Sequence, residues 1–400
     1  MRRFLTSIVL LALAACSGSP GAPPAAAPGL PEATAAGVRP NAANTEFFAR
    51  DRKIMLKNGA AAGAFFIKGV DYSPTPICSG PLETSLSNDN RVIWSRDLPA
   101  LRKLGVNAIK VYNAHPTADM SEFLNAAYNG GDHPIYVILS IFFNGDKPLN
   151  QGAVDALRGQ YETLAQRNGS FPALMGISIG SEINSEKYIN NKLWWKGLNT
   201  IAGGAKSGFA KIGAKKIVTT SLVDDGLNTV VEGEKNNYNI DAWGINVYRG
   251  STWTTLWDQA KRDTKKPFLL GEWGAPVGYH PNGNPNRAIE WPKDQEHILK
   301  SFFSGLETAM YAESTIKGGV SSGGFLFEFS DEYWKADPDN KRDGFCKQLE
   351  NGVPNGNYPS GFNDEAWFGL NSIDPGNPNV LTERPTFHTM KELWADEPTQ

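Results

Sequence analysis

The chain has 400 residues, 40% of them apolar and 20% charged, so it can bury a sizeable core and is not a disordered segment. With 39 basic against 42 acidic residues its formal charge is −3, which excludes a nucleic-acid binder that works through bulk positive charge. The aromatics, Phe 20, Tyr 12 and Trp 11, serve core packing for the most part, with some left over for stacking on flat ligands, and Gly 41 with Pro 26 predicts many structured loops.

The N-terminus reads Met1-Arg2-Arg3, then an apolar run from Phe4 to Ala15. A positive start followed by a short apolar run is a secretory signal, too short to span a membrane. Leu13-Ala14-Ala15-Cys16 resembles the lipobox of bacterial lipoproteins. That resemblance implies cleavage before Cys16, acyl chains on Cys16, and a soluble domain held at the bacterial cell envelope. Ser17, where inner-membrane lipoproteins carry Asp, points to the outer membrane. An ordinary signal peptide cut nearby is the alternative. Residues 17–40 are mostly Ala, Pro and Gly, with little to bury, and read as an extended linker. The predicted organisation is a signal peptide over 1–15, a lipidated cysteine and linker over 16–44, and one folded domain over 45–396.

From there short apolar runs alternate with helical patterns. The runs are Phe65–Val70, Val106–Tyr112, Ile135–Phe143, Leu174–Ile179, Lys216–Leu222, Ile240–Val247, Pro267–Leu270 and Gly323–Phe329; the fifth has the weakest pattern. Their length and Val, Ile and Phe content suit strands buried on both faces of a parallel sheet. Between them, Ser95 is placed to cap a helix carrying Leu98, Leu101 and Leu104 that Gly105 ends. Ile298, Leu299, Phe302, Phe303, Leu306 and Met310 form another helical stripe, and Phe387, Met390, Leu393 and Trp394 the last. Eight strands with intervening helices predict an α/β chain folded as a single (β/α)8 TIM barrel with long βα loops. A doubly wound open sheet is the alternative, but no Gly-rich phosphate loop follows the first run. No Cys/His cluster has metal-ligand spacing, and no cofactor is implied.

A barrel carries its active site where the strands end. The residues there are Asp71 and Tyr72 after the first run, Tyr112 and Asn113 after the second, and Ser181 and Glu182 after the fourth. Asn246 to Tyr248 close the sixth, Glu272 and Trp273 the seventh, and Glu328 to Glu332, with Trp334 close behind, surround the eighth. Glu182 and Glu272 each end an apolar strand, where a charge is costly unless paired or functional. Their strands stand opposite each other across the mouth. Two carboxylates facing a cleft suit glycoside hydrolysis, one protonating the leaving oxygen and the other attacking the anomeric carbon or activating water. Ion pairs at the barrel rim are the plain structural alternative.

Gly176-Ile-Ser-Ile-Gly-Ser-Glu-Ile-Asn184 and Lys266-Pro-Phe-Leu-Leu-Gly-Glu-Trp-Gly-Ala-Pro276 resemble the fourth and seventh strands of glycoside hydrolase clan A. Phe65-Phe-Ile-Lys-Gly-Val-Asp-Tyr72 and the segment from Arg96 to Tyr112 are similar to its first strand, first helix and second strand. Within the clan the wording is closest to family 72, the β-1,3-glucanosyltransferases, and the likeness extends to Gly244-Ile-Asn-Val-Tyr248, Gly323 to Ser330 and Trp367-Phe-Gly-Leu370. The resemblance implies a retaining enzyme acting on a β-linked glucan, with Glu182 as acid/base, Glu272 as nucleophile and Tyr248 orienting the nucleophile. It implies that Tyr72, Tyr112 and Trp273 line the sugar subsites; the strand ends and the loop after the eighth run add Asn113, Ser181, Asn246, Glu328 and Trp334 as candidate substrate contacts. Two positions depart from the clan pattern. Ser181 stands where Asn usually precedes the acid/base, and Lys110 where Arg usually ends the second strand. Serine reaches less far, and lysine offers charge without a bidentate fork.

Two readings compete with this one: a catalytically inactive carbohydrate-binding barrel, and a clan A enzyme for another linkage such as a β-mannan or β-galactoside. Long loops after the seventh and eighth runs carry Tyr279, His280, Trp334 and Tyr358 and are expected to cover the cleft. Cys78 falls on the loop after the first run and Cys346 on the loop after the eighth. First and last strands are neighbours in a closed barrel, so a disulfide between these two is expected, with two buried thiols as the alternative.

Overall fold

In the computed structural model, which describes residues 45–143, 150–184, 192–236, 238–335 and 345–398, the first element is a small sheet that no apolar run announces. The leader, Cys16 and the linker lie outside the described residues. β1 (Thr45–Arg50), β2 (Lys53–Asn58) and β3 (Ala61–Ala64) pair antiparallel through two-residue turns in which Asp51 and Gly59 take positive φ. The sheet covers the N-terminal end of the barrel. Phe47 meets Phe65 and Tyr136 edge-on, with ring centroids 5.5 and 4.8 Å apart. Lys216 Nζ donates to the Thr45 carbonyl at 3.1 Å.

The barrel follows in alternation. β4 (Ile67–Asp71) leads through α1 (Arg91–Leu104) to β5 (Ala108–Val111), then α2 (Ser121–Tyr128), β6 (Tyr136–Ser140), α3 (Gln151–Asn168) and β7 (Leu174–Ile179). α4 (Lys192–Lys211), β8 (Ile217–Thr220), β9 (Leu222–Val223), α5 (Asn228–Asn236) and β10 (Trp243–Val247) come next. α6 (Leu256–Asp263), β11 (Phe268–Trp273), α7 (Glu296–Ala312) and β12 (Ser321–Leu326) complete it. Beyond the barrel lie β13 (Val353–Pro354), β14 (Phe362–Asn363), β15 (Asn371–Asp374), β16 (Asn377–Glu383) and α8 (Pro385–Asp396).

The large sheet runs β8-β7-β6-β5-β4-β12-β11-β10-β9, parallel throughout. β12 pairs with β4, so last meets first, as in a barrel. β8 and β9 are two halves of one strand, separated only by Ser221; one half pairs with β7 and the other with β10. Counted so, the strands are eight, and each lies in or overlaps one of the expected runs. The fold is the (β/α)8 barrel, and its fifth strand, the weakest in pattern, is the broken one.

α1 corrects one expectation. It begins at Arg91, so Ser95 lies one turn inside it rather than at its cap. Trp94 extends the buried stripe of Leu98 and Leu101, and its indole donates to the Ser87 carbonyl at 3.2 Å. Gly105 ends the helix at φ 91°, where a side chain would be strained. Cys78 and Cys346 form the expected disulfide, which closes a span of 268 residues and ties the loop after β4 to the loop after β12.

Candidate active site

Strand alternation decides which groups enter the barrel mouth, because neighbouring side chains on a strand point to opposite faces. Asp71, Lys110 and Glu272 point inward from β4, β5 and β11 and meet there. Lys110 Nζ lies 3.2 Å from Asp71 Oδ1 and 3.6 Å from Glu272 Oε1. Tyr112 donates to Glu272 Oε1 at 2.9 Å, and Tyr248 donates to Oε2 at 3.0 Å. Both phenols are held well above their usual pKa, by burial first and then by the carboxylates around them: Asp71 and Glu272 for Tyr112, chiefly Glu272 for Tyr248. They therefore keep their protons and act as donors. Glu272 is itself 7% exposed, so its two oxygens are held by protein groups on nearly every side. Asp71, fully buried, has its carboxyl raised well above the usual range by desolvation, against the pull of Lys110.

Glu182 arrives by a different route. After β7 the backbone turns at Gly180, with φ 64°, and Glu182 adopts φ 51°, an uncommon conformation for a residue with a side chain. The turn is stitched to the broken fifth strand. Glu182 N–H donates to the Ser221 carbonyl at 2.6 Å, Val223 N–H to Asn184 Oδ1 at 2.7 Å, and Asn184 Nδ2 to the Val223 carbonyl at 3.0 Å. The side chain keeps a face open to solvent, but the barrel mouth crowds its carboxyl. That desolvation, with the charge of Glu272, pushes Glu182 up to about 7, against the hydrogen bond that Asn246 Nδ2 donates to Oε1 at 3.0 Å. Glu182 thus keeps its proton to much higher pH than an ordinary carboxyl, beside a Glu272 whose two oxygens are held by phenols, an asymmetry that suits an acid and a nucleophile.

Aromatic rings wall the mouth. Tyr112 lies 6.3 Å from Phe327, Phe327 5.1 Å from Phe368, and Phe368 6.0 Å from Tyr248 and 6.4 Å from Tyr358. Lys335 hangs over Phe327 at 4.2 Å, beside a half-buried Trp334 whose ring it approaches at 5.7 Å, and its charge is felt at Glu182. Asn113 and Ser181 are partly exposed at the ends of the second and fourth strands.

Three expected substrate contacts sit elsewhere. Tyr72 follows the inward Asp71 and so points outward; it is 1% exposed and its hydroxyl donates to Asp97 of α1 at 2.9 Å. Trp273 follows the inward Glu272 and packs outward between Trp253 and Phe303. Glu328 is buried under the segment Trp367–Leu370: its N–H donates to the Phe368 carbonyl and its own carbonyl accepts from Leu370 N–H. Its carboxyl hydrogen-bonds Glu332, and burial with that neighbour's charge holds it well above the usual range. Tyr279 and His280, expected over the cleft, join loops instead. Tyr279 packs on Trp291 at 5.2 Å, and His280 bonds Asp364 at 2.7 Å. Ser221, Phe327 and Phe368 are the site groups that strand ends alone do not single out. A strand with a weak pattern was the available signal for Ser221.

A family model described as glucanosyltransferase, glycoside hydrolase family 72, matches residues 43–190. The barrel is similar to those of family 72. The chain is 36% identical over 286 residues to the 1,3-beta-glucanosyltransferase PGA4 of Candida albicans, covering 67% of this chain and 56% of that one. It is 22% identical over 300 residues to the probable 1,3-beta-glucanosyltransferase GAS3 of Saccharomyces cerevisiae, covering 67% and 52%. Among solved structures, the family 72-like barrel matches Saccharomyces cerevisiae Gas2p in complex with laminaripentaose. The TM-score is 0.60 at 19% identity, over 90% of this chain and 70% of that one. This family 72-like chain spans about half the length of the curated relatives it matches.

Proposed function

We propose that the protein is a retaining β-1,3-glucan transglycosylase, with Glu272 as nucleophile and Glu182 as acid/base. The observation that carries this reading is the asymmetry of the pair. One carboxyl is crowded and pushed up to about 7, and the other is held at both oxygens by Tyr112 and Tyr248. The similarity to glucanosyltransferases supports the choice of a β-1,3-linked chain and of transfer to a sugar acceptor.

In the first step a Glu272 oxygen forms a bond to the anomeric carbon. The bond from that carbon to the glycosidic oxygen breaks, its electron pair stays with the leaving oxygen, and the Glu182 proton joins it. In the second step an acceptor hydroxyl attacks the same carbon and passes its proton to Glu182. The ester bond breaks and returns its electron pair to Glu272. A sugar acceptor gives transfer and water gives hydrolysis. Loss of the Glu272 charge in the ester removes the repulsion that helps keep Glu182 protonated, so Glu182 enters the second step as a base.

The test is product analysis on laminaripentaose. Glu182→Gln is expected to lower turnover by about 10²–10⁴-fold, the usual worth of a general acid, and Glu272→Gln to abolish it. Longer and shorter laminari-oligosaccharides together mark transfer. Full activity in either variant rejects the assignment; glucose and shortened products alone replace transfer by hydrolysis. Activity on a mannan or β-galactan oligosaccharide in place of laminaripentaose would favour the other-linkage reading.

We also propose that the chain is exported and lipid-anchored through Cys16 in a bacterial cell envelope, at the outer membrane. Leu13-Ala14-Ala15-Cys16 and the Ala/Pro/Gly linker support this. Radiolabelled palmitate entering the wild type but not Cys16→Ser is the expected outcome.

A further inference from the structure

A run of hydrogen bonds joins the neighbourhood of Glu272 to Glu182. Lys110 Nζ lies 3.0 Å from Ser221 Oγ, Ser221 Oγ 2.6 Å from Asn246 Oδ1, and Asn246 Nδ2 3.0 Å from Glu182 Oε1. The chemistry of each group sets the direction. An ammonium only donates, so Lys110 donates to Ser221. The single Ser221 proton then goes to Asn246 Oδ1, an atom that only accepts. This fixes the amide with Nδ2 towards Glu182, and Nδ2 donates to Oε1. All the bonds point one way, from cation to carboxyl.

Two irregularities in the backbone create this chain. The fifth strand breaks at Ser221, between β8 and β9. The register of β10 on β11 shifts between Ile245 and Asn246, which passes from Leu270 to Glu272 and leaves Gly271 without a partner. Gly271 is what admits the contact: a Cβ there would come 2.6 Å from Asn246 Oδ1 and 2.7 Å from Ser221 Oγ. Ser221, Asn246 and Lys110 are all buried, so water does not compete for these bonds.

We propose that Ser221 is a positioning residue which, through Asn246, holds Glu182 Oε1 as an acceptor, leaves Oε2 to carry the transferable proton, and links Glu182 to the charge of Lys110. This rests on the assignment of Glu182 and Glu272 made above. A donor at Oε1 stabilises the ionised carboxylate. When Glu272 becomes an ester, Lys110 loses the charge 3.6 Å away and polarises the chain more strongly, in the step where Glu182 must be ionised. Other charged or titratable groups that act on Glu182 include Glu272 from β11, Tyr248 beyond β10, and Lys335 and Glu365 from the segments after β12.

The experiment compares wild type, Ser221→Ala and Ser221→Thr on laminaripentaose across pH. Removing the hydroxyl frees the Asn246 amide and weakens its bond to Glu182, so Glu182 holds its proton to higher pH. The alkaline limb of kcat/KM is expected to move up by about one pH unit in Ser221→Ala, with KM unchanged, and to return towards wild type in Ser221→Thr. A limb that stays in place overturns the proposal, as does an equal displacement in Ser221→Thr. A carbon-13 titration of the Glu182 carboxyl, assigned by its loss in Glu182→Gln, reads the same shift without turnover. If wild type leaves laminaripentaose intact, the catalytic reading fails while this titration still decides the relay. Should Ser221→Ala not fold, the wild-type Asn246 side-chain amide protons are expected to shift with the Glu182 titration; amide protons indifferent to it reject the link.

Discussion

Glu182 and Glu272 reach the barrel mouth on unlike backbones, and their chemistry follows from that. Glu272 is an ordinary strand residue whose inward direction is set by alternation, with Tyr112 and Tyr248 meeting its two oxygens. Glu182 lies past its strand on a left-handed residue, where it is crowded but not enclosed. Under the proposed assignment the reaction needs Glu182 protonated in its first step. Activity is therefore present below the pKa of about 7 and is lost as pH rises through it, so the alkaline limb of kcat/KM is expected near that value. A limb two or more units away would show that another group is the acid. Tyr248→Phe deletes one hydrogen bond to a charged group, worth about 1.5–3 kcal/mol, and a fall in kcat of roughly ten- to a hundredfold with little change in KM is expected. At this scale the sequence identified residue types at strand ends but not their facing. Tyr72 and Trp273 each stand one position beyond an inward carboxylate, and period two turns them away from the cleft.

The long segments after β11 and β12 are fastened by buried polar clusters. Arg384, just before α8, grips Asp331 with both terminal nitrogens, at 2.7 and 2.6 Å, and bonds Glu290 and the Gly369 carbonyl. Asp331 in turn accepts from Gly369 N–H at 3.0 Å, so one ion pair holds the segment that presents Phe368 to the mouth. Arg384→Ala leaves Asp331 buried and unpaired, and a loss of about 3–5 kcal/mol in urea unfolding is expected. A change below about 1 kcal/mol would mean water or another group replaces the arginine. His280 plays a similar part between loops. Its two ring nitrogens lie 2.7 Å from the Asn284 carbonyl and from Asp364, and Phe362 stacks on its ring. The aromatic content of these loops was legible from sequence; which aromatics face the cleft was not, because that depends on contacts between segments far apart in the chain.

For the whole molecule the closing constraint is the Cys78–Cys346 bridge. It spans 268 residues, so in the unfolded chain it removes the freedom of most of the domain. Replacing both cysteines by serine is expected to lower stability by about 2–5 kcal/mol, measured by reversible denaturation, with the barrel still formed. The small sheet β1–β3 is a second whole-molecule device, since it covers the apolar end that a closed ring of strands leaves open.

Apolar runs of strand length, separated by amphipathic helices, already specify a parallel barrel. A strand buried on both faces has to be apolar throughout, and that is visible locally. The order of the runs likewise places a glutamate at the ends of the fourth and seventh strands, and the loops of Cys78 and Cys346 beside each other. The rest was decided by tertiary contacts. The break at Ser221, the bulge at Gly271 and the left-handed Glu182 leave little trace in composition or periodicity. At the break and at Glu182 the reason is on neighbouring strands: the Glu182 N–H takes up the Ser221 carbonyl that a regular strand would have used in its own ladder, and neighbours in a barrel are distant in sequence.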